Sequence, residues 1–387
     1  MAVPAAHQWV LDGAAEIGRR AERELEALVG VSSPSGDVSG AEEVAALITA
    51  LLPPETVVER PSSSSPDHAP DLLARLEGSG RARLVLLGHL DTVVTHRGHR
   101  PLARDGDRLV GSGAVDMKGG LVLALGVLRA LAATPSSFGE VALLAVTDEE
   151  WRTEPFRHAE RFEGYEACLC FEAGERGPAG EEAVVVRRKA AGTLRVWASG
   201  LSAHSGSAPD SGRNALLALS AAAEQVAAAH DPDGPERLTA VPTVLHSGEA
   251  FNVVPASGEL FCDLRATDLE AIKRVLESLP ESVGGATLEV ELVRRWPGMD
   301  TRDATGDLLG RAAELLGRSI VGYERGGASD ASHLAQVVPV TVDGLGPRGG
   351  GAHTPAEFVL RESLLGRAEV ALALCAALLD SSESPSG

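Results

Sequence analysis

Cysteine is scarce in this 387-residue chain: Cys168, Cys170, Cys262 and Cys375 are the only four, and no pair has zinc-ribbon spacing. That excludes a secreted disulfide framework and fits a reducing cytosol. Cys168 and Cys170 flank Leu169 in an apolar run, and are expected to pack as small hydrophobes on one face of a strand. Positive charge is also short. Three lysines occur, at 118, 189 and 273, and 35 Lys plus Arg face 55 Asp plus Glu, a formal net charge of −20. Without a basic patch, such a chain is no general partner for nucleic acid or an anionic membrane surface. Long hydrophobic runs are missing too. The longest apolar stretch, Gly120 to Ala133, carries Arg129 and falls short of the roughly 20 residues that span a bilayer. The opening MAVPAAHQWVLDG lacks the basic start and apolar run of a signal peptide. The expectation is an unanchored, cytoplasmic protein.

What is present is globular composition, 44% hydrophobic and 23% charged, in a chain long enough for two domains. Ile17, Ala21, Leu25 and Leu28 recur at helical spacing between Gly13 and Gly30, and a second helix is expected from Ala41 to Leu52, ended by Pro53-Pro54. The polar, proline-rich Arg60 to Asp71 reads as an exposed connection. RLVLLGHLDTVV, Glu140 to Thr147 and Ala167 to Phe171 read as buried strands, with a helix over Met117 to Ala133. Strands alternating with helices predict an α/β fold with a mostly parallel sheet, whose chemistry sits at the carboxyl ends of the strands. From about Ala191 the order becomes β-α-β-β-α-β, the ferredoxin-like α+β unit. The expected organisation is a discontinuous domain, 1–190 plus 299–387, with an insertion at 191–298. The tail SSESPSG is expected to be disordered.

Acids gather at the predicted strand ends. His89 and Asp91 stand two apart after one strand, so both side chains point to the same side. Asp116 lies in the glycine-rich turn GSGAVDMKGG that opens a helix; a phosphate loop would need a Gly-Lys-Ser/Thr ending, which is absent. Asp148-Glu149-Glu150 follows another strand, and Glu172 the next. Singly, each is better explained by a helix entry or a solvated face. Together they converge on one sheet edge, where buried acids need cations. Carboxylates and imidazole without thiolate suit zinc, with manganese or cobalt as substitutes, and a shared aspartate would set two ions roughly 3.5 Å apart. His353, in the glycine-rich GGGAHTPAE, is a candidate for a further ligand, although by itself it reads equally well as a surface-loop histidine.

The motifs HLDTVV, GSGAVDMKGG, DEE, FEAG, SAHSG, FNVVP and GGGAHTPAE, in this order over nearly the whole chain, resemble the di-zinc metallopeptidase family of glutamate carboxypeptidase, aminoacylase, acetylornithine deacetylase and succinyl-diaminopimelate desuccinylase. In pattern they are closest to glutamate carboxypeptidase. The resemblance implies that Asp116 bridges two Zn2+ per subunit, one completed by His89 and Glu172, the other by Glu150 and His353. Asp91 would orient His89, and Glu149 would be the general base, taking a proton from the metal-bridging water and passing it to the leaving nitrogen. His204 would stabilise the oxyanion, commonly from a partner subunit, which implies a homodimer with the inserted domain serving as lid and dimerisation unit. Asn252, Arg265 and Arg325 match positions that hold the substrate carboxylate in carboxypeptidase-like members.

The implied activity is hydrolysis of the amide of an N-acyl amino acid or short peptide with a free carboxylate. The alternatives are a deacetylase or desuccinylase of an amino-acid biosynthetic intermediate, and a non-hydrolytic metal-binding relative. Two local readings add to this. Trp151-Arg152-Thr153 replaces the small aliphatic, glycine and serine usual after the acidic triplet, and is expected to reshape the leaving-group pocket. Ser329 and Asp330 are expected to cap the helix that follows them.

Overall fold

The computed structural model describes residues 7–383, with side chains through Asp380. Its helices of ten residues or more are α1 (Gln8–Val29), α2 (Val38–Leu51), α3 (Gly119–Ala132), α4 (Ala215–Ala228), α5 (Leu269–Ser278), α6 (Arg302–Leu316) and α7 (Ser363–Glu383). The strands that matter here are β1 (Val57–Glu59), β2 (Leu72–Glu77), β3 (Arg83–His89), β4 (Glu140–Val146), β5 (Ala167–Cys170), β6 (Ala190–Ser199), β7 (Thr239–Ser247), β8 (Ser257–Ala266), β9 (Ala286–Trp296) and β10 (Val340–Val342). The tail expected to be disordered enters α7 as far as Glu383, and its last four residues lie outside the described residues. Among the described residues no helix is long and apolar enough to cross a membrane.

The chain divides into two units. One comprises the residues up to Arg187 with Met299–Glu324 and Ser329 onward; the other comprises Arg188–Gly298 with Arg325–Ala328.

In the first unit a six-stranded sheet runs β1-β2-β4-β3-β5-β10. β4, β3, β5 and β10 are parallel, and β2 and β1 complete the sheet as an antiparallel edge. The parallel strands read as unbroken apolar runs because helices and loops cover both faces. α1 turns Val10, Ala14, Ile17, Ala21, Leu25 and Leu28 inward on one stripe, whereas α3 is buried nearly all round, from Leu121 to Leu128. Cys168 and Cys170 share one face of β5 and pack into the same apolar cluster with Leu87 and Leu144. At the start of α3, Gly120 meets the end of β5 so closely that a Cβ there would lie 1.9 Å from the Phe171 carbonyl oxygen. Only glycine allows that approach.

The segment Arg60–Asp71 departs from its expected exposure. Ser63, Ser64, Ser65 and Asp71 are buried, and the polar groups of Ser64, Ser65 and Asp71 serve as partners for the loop after β4. Asp71 accepts from the Thr147 amide at 2.8 Å and faces His158 Nε2 at 2.7 Å, and the Ser65 amide donates to Asp148 at 2.7 Å. Composition marks a polar segment as external only when the fold supplies no partners for it.

α7 carries a fully buried cation, Arg367. Its guanidinium donates to Glu182 and to the Ala183 carbonyl, each at 3.0 Å, and to the carbonyls of Gly344 and Gly346 just past β10. Arg367→Met would strand these acceptors without water, and is expected to lower unfolding stability by roughly 3–5 kcal/mol, read as a shift in the urea midpoint at constant slope.

The second unit has the order β6-α4-β7-β8-α5-β9, and its sheet runs β7-β8-β6-β9 with every neighbour antiparallel. The short strand Ser282–Val283 adds to the β9 edge. Alternate residues Leu194, Val196, Ala198, Leu260, Cys262 and Leu264 form its core with Ala218, Leu219, Ala222, Ile272 and Val275 of the two helices. This is the ferredoxin-like arrangement, and the whole is an α/β chain carrying such an insertion.

Candidate metal centre

The parallel register brings the ligands together. His89, the last residue of β3, lies opposite Val146 at the end of β4, and Leu87 lies opposite Cys170 at the end of β5. The loops bearing Asp91, Asp148–Glu150 and Glu172 therefore leave one edge side by side. His89 Nδ1 is 3.0 Å from the Asp91 carbonyl oxygen. A carbonyl can only accept, so Nδ1 carries the proton and Nε2 turns its lone pair to the site. Nε2 lies 3.2 Å from Asp116 Oδ1 and 3.7 Å from Glu172 Oε1. The other oxygen of Asp116, Oδ2, lies 3.1 Å from His353 Nε2, which is 3.3 Å from Glu150 Oε2.

Two triads result, His89–Asp116–Glu172 and Asp116–Glu150–His353, each with its donor atoms within 4.8 Å of one another. They share Asp116, one oxygen to each. This donor set of imidazole nitrogen and carboxylate oxygen fits a pair of borderline divalent ions such as zinc, and the clustered acids require positive charge there. Burial pushes Asp116 up, but hydrogen bonds from His353 and His89 outweigh it and hold the carboxyl low. Its bond to Asp116, with another to Glu150, raises His353 to about 10.

Asp91 has a larger task than orienting His89. Its carboxylate is 3.4 Å from His89 Nδ1, and it accepts from the amides of Glu149 at 3.2 Å and Glu150 at 3.1 Å. One buried carboxylate thus holds two consecutive glutamates off regular structure, so that their side chains can aim at different atoms. Burial pushes Glu149 well above the ordinary carboxylate range, against the pull of His89 and with the help of Glu172, Asp330 and Glu150.

Glu357 is the residue that sequence reasoning missed. It is buried, and its carboxylate accepts from the amides of Gly113 at 2.8 Å, Val115 at 2.9 Å and Asp116 at 3.0 Å. Gly113 needs its positive φ of 72° for this turn. Glu357 therefore ties the loop of one candidate ligand, Asp116, to the loop of another, His353. The only signal was its place at the end of GGGAHTPAE, and one glutamate among 55 acids announces nothing. His353 itself adopts φ 65°, in a turn closed by the Thr354 amide on the Gly351 carbonyl at 3.0 Å; the left-handed conformation is uncommon outside glycine.

Two expectations are corrected. Arg152 does not line a leaving-group pocket: it is buried and paired with Asp148 and Asp330, while Trp151 stays 65% exposed. Asp330 makes no side-chain cap, since its carboxylate is taken by Arg152, and Ser329 donates to Asp343 at 2.6 Å instead. Lys118, in the turn considered as a phosphate loop, is buried with Nζ on the Val31 carbonyl at 2.7 Å and is not presented to a ligand.

The second unit holds the remaining residues singled out from sequence. His204 is exposed, and its Nδ1 accepts from the amides of Gly206 and Ser207 at 3.1 and 3.2 Å, which leaves Nε2 as the protonated nitrogen of a neutral ring. The Asn252 carbonyl accepts from Ser205 at 3.0 Å, so the two loops are neighbours. Arg265 bonds Asp263 at 3.0 Å and the Gly326 carbonyl at 3.2 Å, beside Arg325 in the chain.

Comparison with known proteins adds to this geometry. Carboxypeptidase G2 of Pseudomonas sp. (strain RS-16) is 28% identical over 355 residues, covering 87% of this chain and 83% of that protein. Succinyl-diaminopimelate desuccinylase of Xanthomonas campestris pv. campestris (strain 8004) is 31% identical over 320 residues, 75% of this chain and 82% of that enzyme. Among solved structures, a Bacillus subtilis protein described as a dinuclear metal binding peptidase from the M20 family superposes with a TM-score of 0.71 at 16% identity, covering 95% of this chain and 99% of that one. Residues 85–377 match the model of peptidase family M20/M25/M40, and the chain belongs to that family as a metal-dependent hydrolase.

Proposed function

We propose that this protein hydrolyses the amide bond of an N-acyl amino acid or short peptide ending in a free carboxylate. The observation that carries this is the Asp116 carboxylate, which presents one oxygen to each of two imidazoles, with Glu149 beside the second triad. His89, Asp116 and Glu172 would hold one ion and Asp116, Glu150 and His353 the other. Zinc is the ion best suited to the donor set, with cobalt or manganese as substitutes, and the dinuclear character of the Bacillus subtilis neighbour supports a pair. When bound, such ions supply Lewis acidity toward a carbonyl oxygen and make water a competent nucleophile near neutral pH.

The chain's own residues do the rest. Glu149, raised by burial, takes a proton at its carboxylate and returns it to the departing nitrogen. Asp91 keeps that carboxylate aimed through the two amides it accepts. Arg265 and Arg325, with Asn252, are assigned to the substrate carboxylate, for which a guanidinium offers two parallel donors. His204, protonated at Nε2, is assigned to the oxyanion, contributed across a homodimer in which the inserted unit serves as lid and contact. The similarity to the Xanthomonas desuccinylase favours, as a second reading, removal of a succinyl or acetyl group from an amino-acid intermediate.

The test is a screen of zinc-reconstituted protein against N-acyl amino acids and dipeptides, read by amine release. Release is expected from substrates with a free carboxylate and not from their amides; silence across all of them would count against the proposal. Chelation is expected to abolish turnover and lower the apparent stability by about 4 kcal/mol at metal concentrations a thousandfold above Kd, both restored by zinc.

A further inference from the structure

We propose that Arg152 is a positioning residue of the hydrolytic site, clamping Asp148 to Asp330 and so fixing the backbone from which Glu149 works. The inference rests on Glu149 acting as the base. It starts from an oddity of this chain, a bulky cation where a small residue usually follows the acidic triplet. The cation is not at the surface. Arg152 Nε and one terminal nitrogen reach Asp148 Oδ1 at 3.2 and 2.8 Å, and the fork also spans Asp330, with one contact at 2.7 Å. The guanidinium carbon lies 4.9 Å from the centre of the Phe156 ring. The Asp148 carboxylate has a second tie, accepting from the Ser65 amide, and the residue before Asp330, Ser329, donates to Asp343 just beyond β10.

Glu149 is thus held from two directions. Behind it, Asp148 is tied to Asp330 through Arg152; ahead, Asp91 grips its amide and that of Glu150. The guanidinium makes four contacts to two carboxylates here, more than the three donors of an ammonium can supply. Displacing a reacting group by about 1 Å is enough to cost about 100-fold in rate.

The test uses two variants, the single Arg152→Lys and the triple Asp148→Asn, Arg152→Gln, Asp330→Asn, which removes the charges together so that no carboxylate is left buried alone. With the best N-acyl amino acid from the screen, kcat of the triple variant is expected to fall roughly 10- to 100-fold with KM within about threefold and zinc content unchanged. Arg152→Lys should fall between it and the parent. Hydrogen exchange needs no substrate: in Arg152→Lys the amides of Glu149 and Glu150 should exchange faster than in the parent under conditions of equal global stability.

An unchanged kcat with full zinc would overturn the proposal. So would a rise in KM alone, which would put Arg152 in the substrate pocket, or unaltered exchange at Glu149 and Glu150. Activity retained by Glu149→Gln would instead remove the assignment of the base, and would leave the exchange result standing.

Discussion

Glu149→Gln is expected to lower kcat by roughly 10²- to 10⁴-fold while the protein still takes up its full metal complement. The substitution keeps the volume and the backbone ties to Asp91, and Glu149 belongs to neither ligand triad. What it removes is a carboxylate that burial has pushed well above its ordinary range, the shift that suits a group meant to accept and return a proton near neutral pH. Metal analysis after dialysis and steady-state kinetics on the same sample separate the two effects. Unchanged hydrolysis would remove Glu149 from the chemistry. A parent protein that binds metal yet turns over no acylated amine would favour the non-hydrolytic alternative.

The second large effect is expected at Glu357. In Glu357→Ala the amides of Gly113, Val115 and Asp116 lose a shared charged acceptor inside the protein. A stranded buried donor costs about 1–3 kcal/mol, so with partial relief from entering water the loss is about 3–5 kcal/mol. Because the same carboxylate sets the loop of Asp116, zinc affinity should also drop about 10- to 100-fold, the range seen when groups that orient metal ligands are removed. Glu357→Gln keeps an oxygen for two of the three amides and should lie between. Urea unfolding of the chelated protein reads the first effect, and competition with a chromophoric chelator reads the second. Parent-like zinc affinity in the alanine variant would show that the link between the two loops is dispensable.

Much of the fold could be read from local chemistry. α1 and the buried strands β3, β4 and β5 announce themselves by period or by uniform apolarity, and the antiparallel unit shows alternation along β6 and β8. The strand β2 was not legible, because its sequence LLARLE alternates poorly and follows a proline-rich segment. That segment, from Arg60, was misjudged for the same reason. Serines and an aspartate look external until the loop after β4 supplies their partners.

At the site the division is similar. Residue types that ligate metals stand out in order along the chain, since histidine and acids directly after apolar strands have few structural explanations in combination. The residues that aim them do not. Asp91 takes the two glutamate amides, Glu357 the three amides of the aspartate turn, and Arg152 the carboxylates of Asp148 and Asp330, which are far apart in sequence. No period or motif encodes such pairings.

By itself, then, the order of residues determined most of the long helices and buried strands, that the sheet is mostly parallel, and which side chains offer nitrogen and oxygen donors. These are consequences of hydrophobic pattern and side-chain chemistry, which act over a few positions. Only the tertiary structure decided that Asp116 turns its two oxygens to two different histidines, that Glu357 joins their loops, and that Arg152 is an internal clamp. Those outcomes depend on which buried polar groups find one another once water is excluded, and a low-dielectric interior makes each such pairing specific in space and silent in sequence.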